Sequence, residues 1–367
     1  MLRKLCFSVV GVVCLASACA AADYGKVTTH KIADGVYLFT TTPYADVGFC
    51  GNSVAIITSD GVLVFDSGAT PETAQTILAE IRRLTDKPVR YLVNSHWHWD
   101  HWGGNQVFLE ANPALQIISH AKNLEMMATV EPRWNEHGLK EDLPNFLDGF
   151  EKQIAAIKAK GATEERIKAA EQRLAVDRNF LKQKQSLRKT LPNLTFSDTL
   201  TLHMGGREIK ILHARAITPG DTYIYLPGER ILITGDIMLD PYPYAIGGTY
   251  PAEWLATLQQ FAALKPAWTI PGHGQAQEGG QFVAAHIRLF EEVIAKVKDA
   301  KSKGMAADQA AEALDKQSAD FATMVGVKEA GGVEAFKGYF FDVFVKRAYR
   351  ELTGPLGDLP DGLPPAN

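Results

Sequence analysis

The chain has 367 residues, 46% hydrophobic and 22% charged, enough to bury one large core or two smaller ones. Its 38 Lys and Arg against 42 Asp and Glu give a formal net charge of −4, and charged stretches such as 164–168 carry both signs, as solvated helix faces do. This composition is that of a folded enzyme and argues against a nucleic-acid partner held by electrostatics. Residues 1–22 read as an export signal: Arg3 and Lys4 precede an apolar run over 5–15, and the small residues 16–22 offer A-x-A cleavage sites before Asp23. The apolar run is too short to span a membrane, so the expected location is the periplasm or the exterior, with no transmembrane segment in the mature chain. Lipid attachment at Cys19 is the lesser alternative, since Ala16 is a poor match for the Leu usual three residues earlier. Cys6, Cys14 and Cys19 leave with the signal, so Cys50 has no disulfide partner and reads as a small buried apolar residue.

Past the signal the pattern is α/β. Residues 36–40 and 53–57 read as strands, the second turning through Asp60-Gly61 into a third that begins at Val62. Thr70-Pro71-Glu72 starts a helix, with Thr70 as cap and Ala74, Ile77, Leu78, Ile81 and Leu84 on one face. The strand over 89–94 then ends at His96-Trp97-His98-Trp99-Asp100-His101, followed by Trp102-Gly103-Gly104-Asn105. Three of the chain's ten His and a carboxylate fall in this one short loop, and a strand end holds a loop stiffly. Imidazole nitrogen and carboxylate oxygen suit zinc and its first-row neighbours, so the loop is a predicted metal site.

Downstream, an apolar run over 115–119 leads to His120, and the block from about 144 to 190 changes character. Phe150, Ile154, Ile157, Ile167, Leu174 and Leu181 recur in Lys- and Glu-rich sequence, which predicts amphipathic helices broken at Gly161. This block reads as an insertion, either a lid over the metal cleft or a scaffold. Strands recur over 209–212, 222–226 and 230–234, and helices over 286–298 and 336–352. The tail over 353–367, with its Pro and Gly, is expected to be disordered. Trp99, Trp102, Trp134, Tyr242, Tyr244 and Tyr250 read as core aromatics, with pocket lining as the weaker alternative.

The His-x-His-x-Asp-His loop resembles the signature of the metallo-β-lactamase superfamily. The match continues upstream at Asp66-Ser67-Gly68 and downstream at Gly235-Asp236 and Gly272-His273, with order and spacing in agreement from about Val27 to Gly274. The resemblance implies an αββα sandwich over 27–290, here with a helical insertion at about 144–190 and a C-terminal helical extension over 291–352. It further implies that His96 and His98 hold a first metal and Asp100, His101 and His273 a second, with Asp236 bridging. Asp100 would orient water, while Asp66 and Thr218 would fix imidazoles and loop geometry from behind. The cofactor expected is zinc, one or two ions, with iron or manganese as alternatives, and the reaction is hydrolysis of an ester, thioester, lactam or related bond in a small-molecule substrate.

One residue departs from the pattern. The family usually places a His before a Thr-x-Gly-Asp segment, and here Ile217 precedes Thr218-Pro219-Gly220-Asp221. A hydrocarbon side chain cannot ligate a metal, so the first site is short by one imidazole unless His213 or His120 reaches in. Both of these read more naturally as hydrogen-bonded structural residues. Two other readings stand beside this one: a non-catalytic member of the fold, which Ile217 favours, and an iron-dependent oxidising one, which leans on the first-site histidines and is weakened by Ile217. The substrate and the oligomeric state are not encoded in any of these motifs.

Overall fold

The structure is a computed structural model that describes residues 23–363. The export signal expected over 1–22 and the end of the expected tail, 364–367, lie outside the described residues.

Two sheets form the centre. The first runs β1 (Val27–Ala33), β2 (Val36–Thr41), β3 (Ser53–Thr58), β4 (Gly61–Phe65), β5 (Val89–Val93), β6 (Gln116–His120) and β7 (Leu194–Phe196), in that spatial order. Its pairs are antiparallel as far as β4 and parallel from β4 to β7. The second sheet comprises β8 (Thr199–Met204), β9 (Arg207–Ala214), β10 (Asp221–Leu226), β11 (Ile231–Gly235), β12 (Trp268–Pro271) and β13 (Gln277–Glu278), and within it only β11 and β12 pair in parallel.

Alternation along the strands divides their side chains between two layers. Val54, Ile56, Leu63 and Phe65 point between the sheets, where they meet Ile209, Ile211, Ile224, Ile231 and Ile233. Ala55, Val62 and Val64 point the other way, onto Ala74, Ile77, Leu78 and Ile81 of α1 (Pro71–Leu84). Thr70 caps α1 by accepting from the Thr73 N–H. The outer face of the second sheet, through Tyr223 and Leu232, is covered by Trp254, Phe261 and Phe290 and by the C-terminal helices. The order is helix, sheet, sheet, helix, which is the expected αββα sandwich.

After β5 come two short helices, α2 (Trp99–Trp102) and α3 (Asn105–Ala111). The helical insertion between β6 and β7 begins earlier than the hydrophobic pattern suggests. It comprises α4 (Ala121–His137), a π-helical turn at Gly138–Asp142, α5 (Leu143–Ala159) and α6 (Glu164–Gln185), with Gly161 in a left-handed conformation between the last two. Asn123, Glu131 and Asn135 of α4 are buried, so polar residues stand on its packed face and blur the 3.6-residue repeat. Residues of α5 and α6 close over Tyr44, Cys50 and Ala69 beside the predicted metal loop.

The C-terminal region holds α7 (Pro251–Ala263), α8 (Gln281–Ser302), α9 (Ala307–Asp315), α10 (Ser318–Met324), α11 (Ala330–Phe336), a second π-helical turn at Lys337–Phe341, and α12 (Asp342–Glu351). Among the described residues no helix is long and apolar enough to cross a membrane.

The expectation of a disordered tail needs correction over its described part. Asp361 pairs with the buried Arg347 and with Arg350, Asp358 pairs with Arg215 and Lys122, and the Tyr250 hydroxyl donates to the Gly357 carbonyl. Composition alone hid this, because two Asp that read as solvating charges fasten the stretch through ion pairs, beside the packed Leu356 and Leu363.

Candidate metal centre

The parallel pairs β4/β5 and β11/β12 deliver the site residues just past their carboxyl ends, where an α/β layer leaves room for a ligand. β4 ends at Phe65 and is followed by Asp66, whose φ of 58° is a left-handed conformation that Asp tolerates better than most residues. β5 ends at Val93 and leads into the loop of His96 and His98, after which α2 carries Asp100 and His101. β11 ends at Gly235 before Asp236, and β12 at Pro271 before Gly272-His273.

The six side chains form two triads. Ligand atoms of His96, His98 and Asp236 lie within 4.8 Å of one another, as do those of Asp100, His101 and His273. Asp236 faces both, with Oδ2 3.6 Å from His96 Nε2 and Oδ1 3.1 Å from His101 Nε2. Asp100 Oδ2 lies 3.2 Å from His101 Nε2 and 3.0 Å from His273 Nε2. In the other triad His96 Nε2 and His98 Nδ1 are 2.8 Å apart, and Ser95 Oγ holds the far side of the His96 ring at 2.9 Å.

The electrostatics match a cation at the centre. Burial alone would raise the pKa of Asp100 and Asp236, but the neighbouring imidazoles, His101 foremost, hold both well below the usual carboxylate range. Burial also works against a charge on His101, yet Asp100, Asp236 and Asp66 outweigh it and raise its pKa well above that of a free imidazole. That carboxylate field favours a cation at Nε2, whether proton or metal. Burial and the neighbouring imidazoles push His96 well down, and burial takes His98 down to about 4, so both rings keep a lone pair available.

Asp100 Oδ2, His101 Nε2 and Asp236 Oδ1 are buried, and although they approach one another to 3.1–3.2 Å, none makes a well-directed hydrogen bond among the described residues. Buried polar atoms left in this way are costly, and three converging on one point fit a divalent ion with nitrogen and oxygen donors.

Behind the triads the loop is clamped. Asp66 Oδ1 accepts the Ser95 N–H at 2.7 Å and Oδ2 lies 2.8 Å from His101 Nδ1, which fixes that ring with Nε2 toward the centre. Asn94 and Asn105 exchange two amide hydrogen bonds of 3.0 and 2.8 Å, and the Ser67 hydroxyl donates to Asn105 Oδ1. Two glycines are required by close approach. A Cβ on Gly51 would lie 2.4 Å from the His101 ring, and one on Gly272 would lie 2.1 Å from Asp236 Oδ1.

The remaining residues singled out from sequence lie elsewhere. Thr218 Oγ1 donates to Asp221 at 2.6 Å, and Asp221 in turn accepts the N–H groups of Ala216 and Thr218, so Thr218 fixes its own loop and not an imidazole. Ile217 is buried with Trp97, Trp102, Met126, Met127, Val130 and Ile246. His120 and His213 stack on each other at 3.7 Å and bond the carbonyls of Ser197 and Pro219, so neither joins a triad. Cys50 is buried and its thiol is pushed up to about 12 by burial, which leaves it protonated and inert. Trp102 and Tyr250 are core residues, Trp134 packs on Trp97 and Tyr242 on Phe336, whereas Trp99 is half-buried and Tyr244 lies 6.4 Å from His98. Sequence reasoning missed Asn94 and Gly51. Only the Gly103-Gly104-Asn105 run gave any sign of the amide clamp.

The metallo-beta-lactamase superfamily model matches residues 47–273, and the chain belongs to that superfamily. Among characterised relatives, a linear primary-alkylsulfatase from Pseudomonas sp. is 24% identical over 269 residues, covering 69% of this chain and 48% of that protein. The chain thus spans about half the length of that relative. Among solved structures, a metallo-beta-lactamase from Pontibacter korlensis superposes with a TM-score of 0.50 at 17% identity, covering 72% of this chain and 99% of that one, which bears on the fold alone.

Proposed function

We propose that this chain is a metal-dependent hydrolase, with zinc as the default ion and one or two ions per chain, acting on an ester, thioester, lactam or related bond of a small molecule. The observation that carries the reading is the convergence of three buried ligand atoms, on Asp100, His101 and Asp236, that make no well-directed hydrogen bond among the described residues. His96, His98 and Asp236 would hold one ion, and Asp100, His101 and His273 the other. Ile217 stands where the resemblance places an imidazole and is sealed in an apolar cluster, so the first set has fewer protein donors and the weaker affinity. A divalent ion, when bound, lowers the pKa of water toward about 7 and polarises the substrate oxygen.

The side chains supply the rest. Asp66 holds His101 in the tautomer that presents Nε2. Asp100, its Oδ2 between His101 and His273, orients the attacking water. Cys50 is too strongly protonated to serve as a nucleophile, so attack by water is favoured over a covalent intermediate on that thiol. The alkylsulfatase relative supports including sulfate monoesters among the esters assayed.

The test is a panel of chromogenic acyl esters, a thioester, a cephalosporin and aryl and alkyl sulfates, offered to the zinc-loaded protein. Turnover of at least one class is expected, abolished by a chelator and restored by zinc. Asp100→Ala should abolish it more completely than His96→Ala. No turnover of any class by fully loaded protein would turn the assignment to a binding or oxidative member of the fold.

A further inference from the structure

Lys184, on the last turn of α6, is only 5% exposed, although the helix around it is Lys- and Glu-rich and solvated. Its Nζ sits 3.8 Å above the ring of Trp99, the residue between His98 and Asp100 in the metal loop. The insertion therefore brings a cationic group up against the loop that carries the triads. Among the described residues no carboxylate lies within the 4.0 Å of an ion pair with it. Glu131, a buried acid of α4 whose charge favours the Lys184 ammonium, is engaged by the Asn135 amide at 2.5 Å. Burial pushes the Lys184 amine down to about 7, opposed by Glu131 and Asp100, so the amine feels the charge of the centre without touching it.

A buried amine without an ion pair is unfavourable, and beside a metal site it also repels the ion. It becomes favourable when a negative charge is brought between it and the metal. Phe49, 45% exposed, also meets Trp99, with its ring 5.2 Å from Trp99 and 5.8 Å from His273. An exposed apolar side chain and a buried amine thus meet the same Trp99.

Resting on the hydrolase reading above, we propose that Lys184 is a specificity residue which binds an oxyanion of the substrate (a sulfate, phosphate or carboxylate group) beside the metal triads, so that the substrates are anionic rather than neutral esters. The Trp99 ring face holds the Lys184 ammonium at the metal loop, and arrival of the anion supplies the ion pair that the folded chain does not make.

The test uses binding, not turnover. Hexanesulfonate, which cannot be hydrolysed, and its uncharged counterpart hexyl methyl sulfone are titrated calorimetrically into the full chain, with metal content measured for each preparation. Lys184→Met should weaken hexanesulfonate by about ten- to a hundredfold, the loss of one charge-assisted hydrogen bond, while the sulfone stays within about twofold. Lys184→Arg should retain most of the sulfonate affinity, and Lys184→Gln should behave as Lys184→Met if the latter folds poorly. Equal loss of both ligands, an unchanged affinity for the sulfonate, or no sulfonate binding by the wild type would each overturn the proposal. The two readings fail separately. Lys184-dependent binding by a protein that takes up no metal would sink the hydrolase and keep the anion site, and hydrolysis with Lys184-independent binding would do the reverse.

Discussion

Asp66→Asn isolates the link between a buried carboxylate and the metal. The wild-type side chain accepts twice, from the Ser95 N–H at 2.7 Å and from His101 Nδ1 at 2.8 Å, and is fully buried. Asparagine keeps the shape and also tolerates the left-handed φ of 58°, so the backbone is not disturbed. What changes is that one of the two acceptors becomes a donor. If the amide oxygen stays on Ser95, the NH2 faces His101 Nδ1, and the ring must accept there and carry its proton on Nε2, the atom aimed at Asp100 and Asp236. The other amide rotamer keeps the His101 contact but sets NH2 against the Ser95 N–H, leaving a buried donor unsatisfied at about 1–3 kcal/mol. Either way metal affinity at the Asp100, His101 and His273 set should fall by about ten- to a hundredfold, a range equivalent to about 1.4–2.7 kcal/mol. Chelator competition reads the affinity, and nitrogen-15 NMR reads the His101 tautomer. Wild-type metal affinity in Asp66→Asn would refute the argument that this carboxylate sets the ring.

Other consequences can be checked alongside. Gly272→Ala places a Cβ 2.1 Å from Asp236 Oδ1, so Asp236, which faces both triads, must move; loss of metal from both sets is expected, and elemental analysis decides it. Asp177, which accepts the N–H groups of Asp46 and Val47, has its pKa raised by burial to about 7. Because that value lies above the unfolded one near 4, its contribution to stability is complete below about pH 4 and is lost as pH rises through 7. Thermal unfolding should therefore show Asp177→Asn gaining on the wild type between about pH 4 and 7, and a constant difference across that window would contradict the raised pKa. Asp361→Ala leaves the buried Arg347 without its carboxylate, so the tail should detach and proteolysis near residue 355 should accelerate.

The strands and α1 were legible because alternation and capping are local. So was the metal character of the His96 to His101 loop, since its ligands are neighbours in sequence. Asp66, Asp236 and His273 were readable only through the family resemblance, because their convergence depends on the strand ends of two sheets meeting, which spacing along the chain does not state. The insertion was placed too late because Asn123, Glu131 and Asn135 face inward, and α6 buries Asp177 and Lys184 among its apolar residues. Lys184 has the same local sequence character as its solvated neighbours, and only the position of Trp99 sets it apart. The tail misled for a related reason: Asp358 and Asp361 look like solvating charges until Arg215 and Arg347 are seen opposite them.

The most direct test is the metal content of the purified chain after dialysis against metal-free buffer and again after zinc is added back. At least one divalent ion per chain is expected, with any second ion leaving first under chelation and from the His96, His98 and Asp236 set. A chain that holds no metal and takes up none on adding zinc would contradict the metal centre, and with it the hydrolase assignment.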